Sequence, residues 1–293
     1  MRILLTGADG FTGRHLRAAA ESAGHAVRPM TADLCDAAAV QQAVGQAAQE
    51  SPFDAVLHLA GLAFVGHNDA VAFYRVNVMG TMNLLQALQA QQQRGALALR
   101  QVVVASSANV YGNCSSSPID ESQVPAPVNH YAASKLAMEH LTLTLAGVLP
   151  LRLVRPFNYT GAGQSRDFVI PKMVDHFKTR QPLLKLGNRQ VQREYNDVAW
   201  VSEAYLRLLA LTAPPSVNDR VVNLCTGVTH TLEDVLSTLQ RLTGHRLSVE
   251  TDPHLVRAQE VHRLCGQPTR LASLVGPMAA PELAQTLQSM LQA

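Results

Sequence analysis

The chain has 293 residues, of which 47% are hydrophobic and 16% charged, with a formal net charge of +2. This is the composition of a globular protein with a large buried core, and it excludes an intrinsically disordered chain. The near-neutral charge excludes a basic field for nucleic acid and a polybasic membrane patch, so any anion must be bound by a few placed groups.

Strand-like and helix-like segments then alternate. Residues 2–6 read as a buried strand that follows Met1 with no signal-peptide pattern, and no apolar run reaches the roughly 20 residues of a membrane span. A cytoplasmic location is expected. Residues 13–23 read as a helix, 26–30 as a second strand and 37–49 as an amphipathic helix. Residues 55–59 form a third strand, 78–91 a helix, 101–106 a fourth strand, 131–145 a long helix and 151–155 a fifth strand. The glutamine-rich patch 86–93 falls inside a helix pattern and reads as a solvated face. This alternation predicts an α/β fold: a doubly wound parallel sheet of the Rossmann kind, with ligands at the carboxyl ends of its strands. Residues 156–164, rich in Gly, Asn and Thr, read as a loop. Helices are expected at 168–178, 199–211 and 231–242, the last opened by Thr231, with a turn at Pro214-Pro215 and a strand at 221–224. A smaller second α/β domain is expected in this half. Cys35, Cys114, Cys225 and Cys265 show neither C-x-x-C spacing nor a zinc pattern, so reduced thiols and no metal are expected.

The segment Gly7-Ala8-Asp9-Gly10-Phe11-Thr12-Gly13 ends the first strand and opens the first helix. Gly7 permits the tight turn, Gly10 lets the backbone approach a pyrophosphate, and Gly13 lets helix and strand pack closely. The helix N-terminus supplies N–H donors to the anion. NAD-selective sites place an acid at the end of the second strand, but Val27-Arg28-Pro29-Met30-Thr31 has none. Arg28 can instead take a ribose 2′-phosphate, which favours NADP(H) over NAD(H); an ordinary surface Arg is the alternative. Asp33 and Leu34 fall at the adenine edge.

Tyr131 and Lys135 lie one helical turn apart on one face. A nearby ammonium favours the phenolate and is expected to bring Tyr131 towards a useful acid–base range. Ser106 and Ser107 end the fourth strand, and Ser107 can hydrogen-bond a carbonyl oxygen that Tyr131 also reaches. His58-Leu59-Ala60-Gly61 ends the third strand and Asn77 opens the next helix pattern.

These motifs, in this order, resemble the extended short-chain dehydrogenase/reductases, a family of nucleotide-sugar epimerases, dehydratases and reductases. The resemblance runs to about Leu271. It implies an NAD(P)-dependent oxidoreductase in which Ser107, Tyr131 and Lys135 form the catalytic set. Gly7, Gly10, Phe11, Thr12 and Gly13 would bind the cofactor. So would Leu59, Ala60, Gly61, Asn77, Ser106 and Pro156, with Tyr131 and Lys135. It divides the chain into a Rossmann domain (1–157 with about 196–226) and a nucleotide-sugar domain (158–195 with 227–293). Asn109 and Asn158 would touch the substrate beside Ser107 and Tyr131. Arg193 and Arg257 would clamp a diphosphate, and Glu260 would meet the nucleoside ribose. The family's dehydratases carry acids just after the catalytic hydroxyl, where this chain has Ala108 and Asn109. Ketone reduction, or 4-epimerisation with retained NAD, remains.

Within the family, Arg155-Pro156-Phe157-Asn158-Tyr159-Thr160-Gly161 and Val256-Arg257-Ala258-Gln259-Glu260-Val261 are most similar to GDP-4-keto-6-deoxy-D-mannose reductases, which form GDP-D-rhamnose. The alternatives are a nucleotide-sugar 4-epimerase and a non-enzymatic NADP(H) sensor. The family resemblance also implies a homodimer, built on the helices around Met82, Leu85, Leu88, Leu136, Met138, Leu141 and Leu143. Three positions depart from the family pattern: His130 for Pro, Ala162 for Pro and Trp200 for Asp.

Overall fold

The computed structural model describes residues 1–63, 69–114, 116–211, 216–256 and 261–293. The expected turn at Pro214-Pro215, Arg257 and Glu260 lie outside the described residues. The first half runs β1 (Arg2–Thr6), α1 (Phe11–Ser22), β2 (Ala26–Met30), α2 (Ala37–Glu50) and β3 (Ala55–His58). A short helix α3 (Ala70–Phe73) passes through a π-helical turn, Tyr74–Gly80, into α4 (Thr81–Gln93). β4 (Gln101–Ala105), α5 (His130–Thr144) and β5 (Leu151–Pro156) follow. Then come β6 (Tyr159–Thr160), α6 (Val169–Lys178), β7 (Leu183–Leu186), β8 (Gln192–Arg193), β9 (Asn196–Asp197), α7 (Val198–Leu209) and β10 (Val221–Leu224). The chain closes with α8 (Leu232–Thr243), β11 (Ser248–Thr251), β12 (Arg263–Leu264), α9 (Thr269–Val275) and α10 (Leu283–Gln292).

The main sheet has six strands in the order β10-β5-β4-β3-β1-β2, all paired in parallel. Strands buried on both faces need near-continuous aliphatic runs, and Ile3-Leu4-Leu5 and Val102-Val103-Val104 supply them. The two faces have separate cores. Leu4, Val56 and Val104 pack against Val40 and Val44 of α2, Leu84 and Leu88 of α4, and Met138 of α5. Ile3, Leu5 and Val103 pack against Leu16 of α1 and Trp200, Val201 and Leu208 of α7. Strand order reverses between β1 and β3, and there the C-terminal ends open the crevice in which such sheets bind ligands.

The helix expected at 78–91 begins earlier, at Ala70, because the π turn keeps the chain helical through Asn77. Gly80 sits in that turn because a Cβ there would lie 2.9 Å from Leu34 Cβ. The loop expected at 156–164 contains β6, which pairs with β9. A third core joins α6, α8 and α10 through Met173, Phe177, Val235, Leu239 and Leu287, beside the β7–β11 pair. The glutamine patch borders a groove of about 530 Å³ between α2 and α4, lined by Gln41, Gln46 and Gln91 among others and away from the sheet's ligand crevice. No helix among the described residues is long and apolar enough to cross a membrane.

Candidate active site

The glycine loop is shaped by contact. Gly7 has φ +70°, where side chains are strained. A Cβ on Gly7 would lie 2.8 Å from Ala60 N, and one on Gly13 would lie 2.0 Å from Gly7 O. Gly10 precedes α1 and gives its first turn no side-chain cap. The leading amides of α1 are therefore oriented for an anion. Leu59, Ala60 and Gly61 cross the switch point beside this loop.

A chain of hydrogen bonds supports that floor. Ala60 N donates to Thr6 Oγ1 at 3.2 Å. Thr6 Oγ1 lies 2.6 Å from His58 Nδ1, and His58 Nε2 lies 2.8 Å from Thr81 Oγ1. Thr81 gives its only hydroxyl proton to Asn77 O at 2.7 Å. His58 must therefore donate from Nε2 and accept from Thr6 at Nδ1. Burial, aided by the Lys135 charge, pulls His58 down to about 3, so the ring stays neutral. Asn77 Nδ2 donates to Ser134 Oγ at 3.0 Å and to Leu62 O at 3.1 Å, and its Oδ1 accepts from Leu62 N at 2.9 Å. Neither His58 as a support nor Ser134 is legible as a site residue, because their partners come from distant elements.

Ser107 follows β4. Its Oγ accepts from Asn109 N and from Asn109 Nδ2, both at 3.2 Å. Both lone pairs are thereby engaged, and the hydroxyl proton is left to donate. Ser107 hydrogen-bonds the phenol of Tyr131, which α5 presents after its Asn129 cap. Asn109, expected to touch substrate, thus has a nearer partner in Ser107. Lys135 donates from Nζ to Ala105 O at 3.0 Å, and a Cβ on Gly61 would lie 3.2 Å from Nζ.

The expectation for Tyr131 needs correction. Burial pushes the phenol up to about 12, and the Ser107 hydrogen bond only partly offsets it. Burial lowers Lys135 to about 8, with Glu139 working the other way. Desolvation wins because both groups are over nine-tenths buried, at 7% and 6% relative exposure.

Beneath the catalytic set lies a buried ion pair. Glu139 accepts from Arg155 Nε at 2.8 Å and Nη2 at 2.6 Å, and from Ser106 Oγ at 2.5 Å. Ser106, expected at the cofactor, is therefore committed to Glu139. Arg155 also donates to Tyr111 at 2.9 Å, and Tyr111 donates to Asn223 Oδ1 at 2.7 Å. Burial opposes the Arg155 charge, but Glu139 outweighs it and holds Arg155 above its ordinary value.

Asp33 and Leu34, expected at the adenine edge, follow β2 in a hydrogen-bonded turn. Asp33 Oδ1 accepts from Cys35 N at 2.9 Å, and Asn83 holds Leu34 O at 2.8 Å, beside Gly80. Arg28 is different. It donates to Glu50 Oε2 at 2.9 Å, and Glu50 ends α2 at the opposite edge of the sheet from the glycine loop.

On the substrate side, Pro156 ends β5 and Asn158 is exposed, its carbonyl accepting from Asn196 N at 3.1 Å. Arg193 donates to Gln192 O at 2.8 Å and to Val261 O, so its guanidinium braces two segments. Its neighbour Glu194 is fully buried and accepts from Asn196 Nδ2 (3.0 Å), Thr226 N (2.8 Å), Thr226 Oγ1 (3.2 Å) and Gly266 N (2.7 Å). Burial raises the Glu194 carboxyl, and these donors oppose the rise. Phe11 stacks on Tyr159, whose hydroxyl lies 2.8 Å from Thr12 Oγ1; Tyr159 is a contact that the sequence reading missed. His130 Nδ1 lies 3.1 Å from Tyr74 OH, and Trp200 fills the core under α7.

A glycine turn, a supported third-strand floor and a Ser/Tyr/Lys cluster thus meet at one sheet edge. Residues 3–225 match the NAD dependent epimerase/dehydratase family. The chain belongs to that family. It is an NAD(P)-dependent enzyme of the extended short-chain dehydrogenase/reductase type. It is 33% identical to the GDP-6-deoxy-D-mannose reductase of Pseudomonas aeruginosa, over 99% of this chain and 96% of that protein. It is 30% identical to the GDP-6-deoxy-D-talose 4-dehydrogenase of Aggregatibacter actinomycetemcomitans, over 94% of this chain and 92% of that one. Among solved structures it is similar to RMD from P. aeruginosa complexed with NADPH. There the TM-score is 0.87 and the identity 31%, covering 99% of this chain and 96% of the other.

Proposed function

We propose that this enzyme reduces the C4 ketone of a nucleotide-activated 4-keto-6-deoxy sugar, taking GDP-4-keto-6-deoxy-D-mannose to GDP-D-rhamnose. The observation that carries the reading is the pair of proton donors. Asn109 makes Ser107 a donor, and burial keeps Tyr131 a protonated phenol. Two donors aimed at one oxygen suit a carbonyl that becomes an alkoxide.

The nicotinamide, when bound, supplies the hydride that C4 receives. Ser107 holds the carbonyl oxygen, and Tyr131 gives it its phenolic proton as the C–O bond becomes single. Lys135, charged below about pH 8, stabilises the phenolate left behind. Gly7, Gly10, Gly13, Thr12 and the floor at Leu59-Ala60-Gly61 would hold the dinucleotide, with Asp33 and Leu34 at its adenine end. Asn158, Arg193, Arg257 and Glu260 would meet the sugar nucleotide. Ala108 and Asn109 offer no acid or base for dehydration. GDP is favoured by the names of both relatives, which also differ in the C4 configuration they imply.

Arg28, the residue that favoured NADP(H), is paired with Glu50 across an exposed surface, and a second reading stays open: a 4-epimerase with retained NAD. A homodimer through α4 and α5 is part of the proposal. Leu85, Leu88 and Met138 are buried in the chain's own core, but Met79 and Leu141 are exposed. Light scattering on a sizing column tests this: a monomer mass overturns the dimer.

The test of the reaction supplies the keto sugar with NADPH and, separately, NADH, follows nicotinamide absorbance, and reads the product by NMR. Cofactor oxidation equal to product formed, with the C4 configuration of rhamnose, is expected. A 6-deoxytalose product would correct the stereochemistry. No oxidation, with NAD retained on the protein and sugar epimerised, would replace the reductase by the epimerase.

A further inference from the structure

Tyr159 lies outside the glycine loop and the Ser/Tyr/Lys set, yet it is bonded to the first. Its hydroxyl is 2.8 Å from Thr12 Oγ1. Its ring stacks on Phe11, with 6.1 Å between centroids and 13° between planes. The residues that follow continue along α1. His15 Nε2 donates to Ala162 O at 2.8 Å, and Arg14 Nη2 donates to Gly163 O at 3.1 Å. Gly161 is so close to α7 that a Cβ there would lie 2.4 Å from Val198 Cγ1. On its other side the strap is a strand: Tyr159 pairs with Asn196 and Thr160 with Asp197. Asn196 directly follows Arg193-Glu194-Tyr195. One short segment therefore joins the first turn of α1 to the Arg193 segment.

We infer that Tyr159 is a positioning residue that couples occupancy of the dinucleotide pyrophosphate site to binding of a nucleoside diphosphate beside Arg193. The inference rests on the reading of the glycine loop as the pyrophosphate site. The coupling follows from proton counting. Either hydroxyl can donate in the Thr12–Tyr159 bond. Thr12 has one proton, and a pyrophosphate at the helix N-terminus accepts but does not donate. Thr12 then turns its proton to the phosphate and must accept from Tyr159. Tyr159 has a proton to give, because burial raises its phenol above the ordinary value. The anion thus fixes Tyr159 as the donor and, by polarising Thr12, strengthens the bond that ties β6, and through its pairing with β9 the Arg193 segment, to the glycine loop. A ligand that favours this tied arrangement binds more tightly as a result.

The experiment titrates NADPH into the full chain by its fluorescence, with and without saturating GDP, and with UDP in a separate arm. In the wild type one of the diphosphates tightens NADPH about five- to twentyfold. The same factor must appear when that diphosphate is titrated with and without NADPH. Tyr159→Phe, which keeps the stacked ring, brings the factor within twofold of one. Thr12→Val does the same, and the double variant does no more than either. A Tyr159 that only packed would weaken both ligands and leave their ratio intact. A wild-type factor near one, a factor that survives Tyr159→Phe, or no NADPH binding overturns the inference. Turnover is not read in this assay. Intact coupling without keto-sugar reduction would overturn the proposed reaction alone.

Discussion

The two sides of the active-site crevice are built differently. On the cofactor side, polar groups at the C-terminal ends of a single parallel sheet hold one another. Thr6, His58 and Ala60 come from the ends of adjacent strands, and Thr81 and Asn77 from the helix that follows. On the substrate side, the organising group is one buried carboxylate, Glu194, which gathers backbone from residues 226 and 266. The strands there are two residues long and pair segments far apart in the chain, as β8 does with β12. Regular topology makes the first side a scaffold, whereas long-range hydrogen bonds to one charge make the second. Damage on the first side should therefore appear in chemistry and pH dependence, and damage on the second in stability and sugar-nucleotide affinity.

Tyr131→Phe tests the first half of that statement most severely. It removes the proton donor and keeps the ring, so kcat should fall about 10²- to 10⁴-fold. GDP affinity, measured by calorimetry, should stay within twofold; a large loss would mean that the two sides are one unit.

The His58 ring is neutral and buried in the folded protein, and its folded value of about 3 lies below its ordinary 6.5. Below pH 6.5 the unfolded chain takes a proton that the folded one refuses. Stability is fully present above pH 6.5 and is lost as pH falls towards 3, by roughly 3–5 kcal/mol from this group. His58→Gln should flatten that part of the stability–pH curve in urea unfolding; an unchanged slope would show that another group carries it.

Glu194→Gln bears on the substrate side. The amide brings two N–H donors to a site of donors, leaving buried groups unsatisfied at a cost of about 2–3 kcal/mol. Tm and GDP affinity should both fall. NADPH affinity would fall only modestly, and an equal loss there would erase the contrast.

Lys135→Met should move function and stability in opposite directions. Burial lowers this ammonium to about 8, so at pH 7 the charge is present and its desolvation opposes folding. Removing it should stabilise by roughly 1–3 kcal/mol at pH 7. Above pH 8 the folded lysine releases its proton while the unfolded one keeps it, and the gain should shrink towards nothing near pH 10.5. Activity should be lost throughout. A destabilised Lys135→Met would mean that the bond to Ala105 O outweighs desolvation. The smallest effect is expected from Arg28→Ala. Its exposed pair with Glu50 contributes about 0–1 kcal/mol, and the ratio of NADPH to NADH efficiency should change less than twofold. A collapse of NADPH use would show that Arg28 leaves Glu50 for the cofactor.

The sequence by itself determined the alternating α/β order, the glycine turn and the serine strand with its Tyr/Lys helix. These are legible because they are local: aliphatic runs mark β1 at Arg2–Thr6 and β10 at Val221–Leu224 within the bounds read from sequence. Only the tertiary structure decided which polar groups face each other. It committed Ser106 to Glu139, Asn109 to Ser107 and Arg28 to Glu50, and it set Tyr159 on Thr12. It also reversed the expected direction for Tyr131, because burial, which no motif encodes, raises the phenol and Ser107 offsets it only in part. Strands of two residues carry no periodicity to read. They exist because residues as distant as 192 and 263 are brought together by the packing around them.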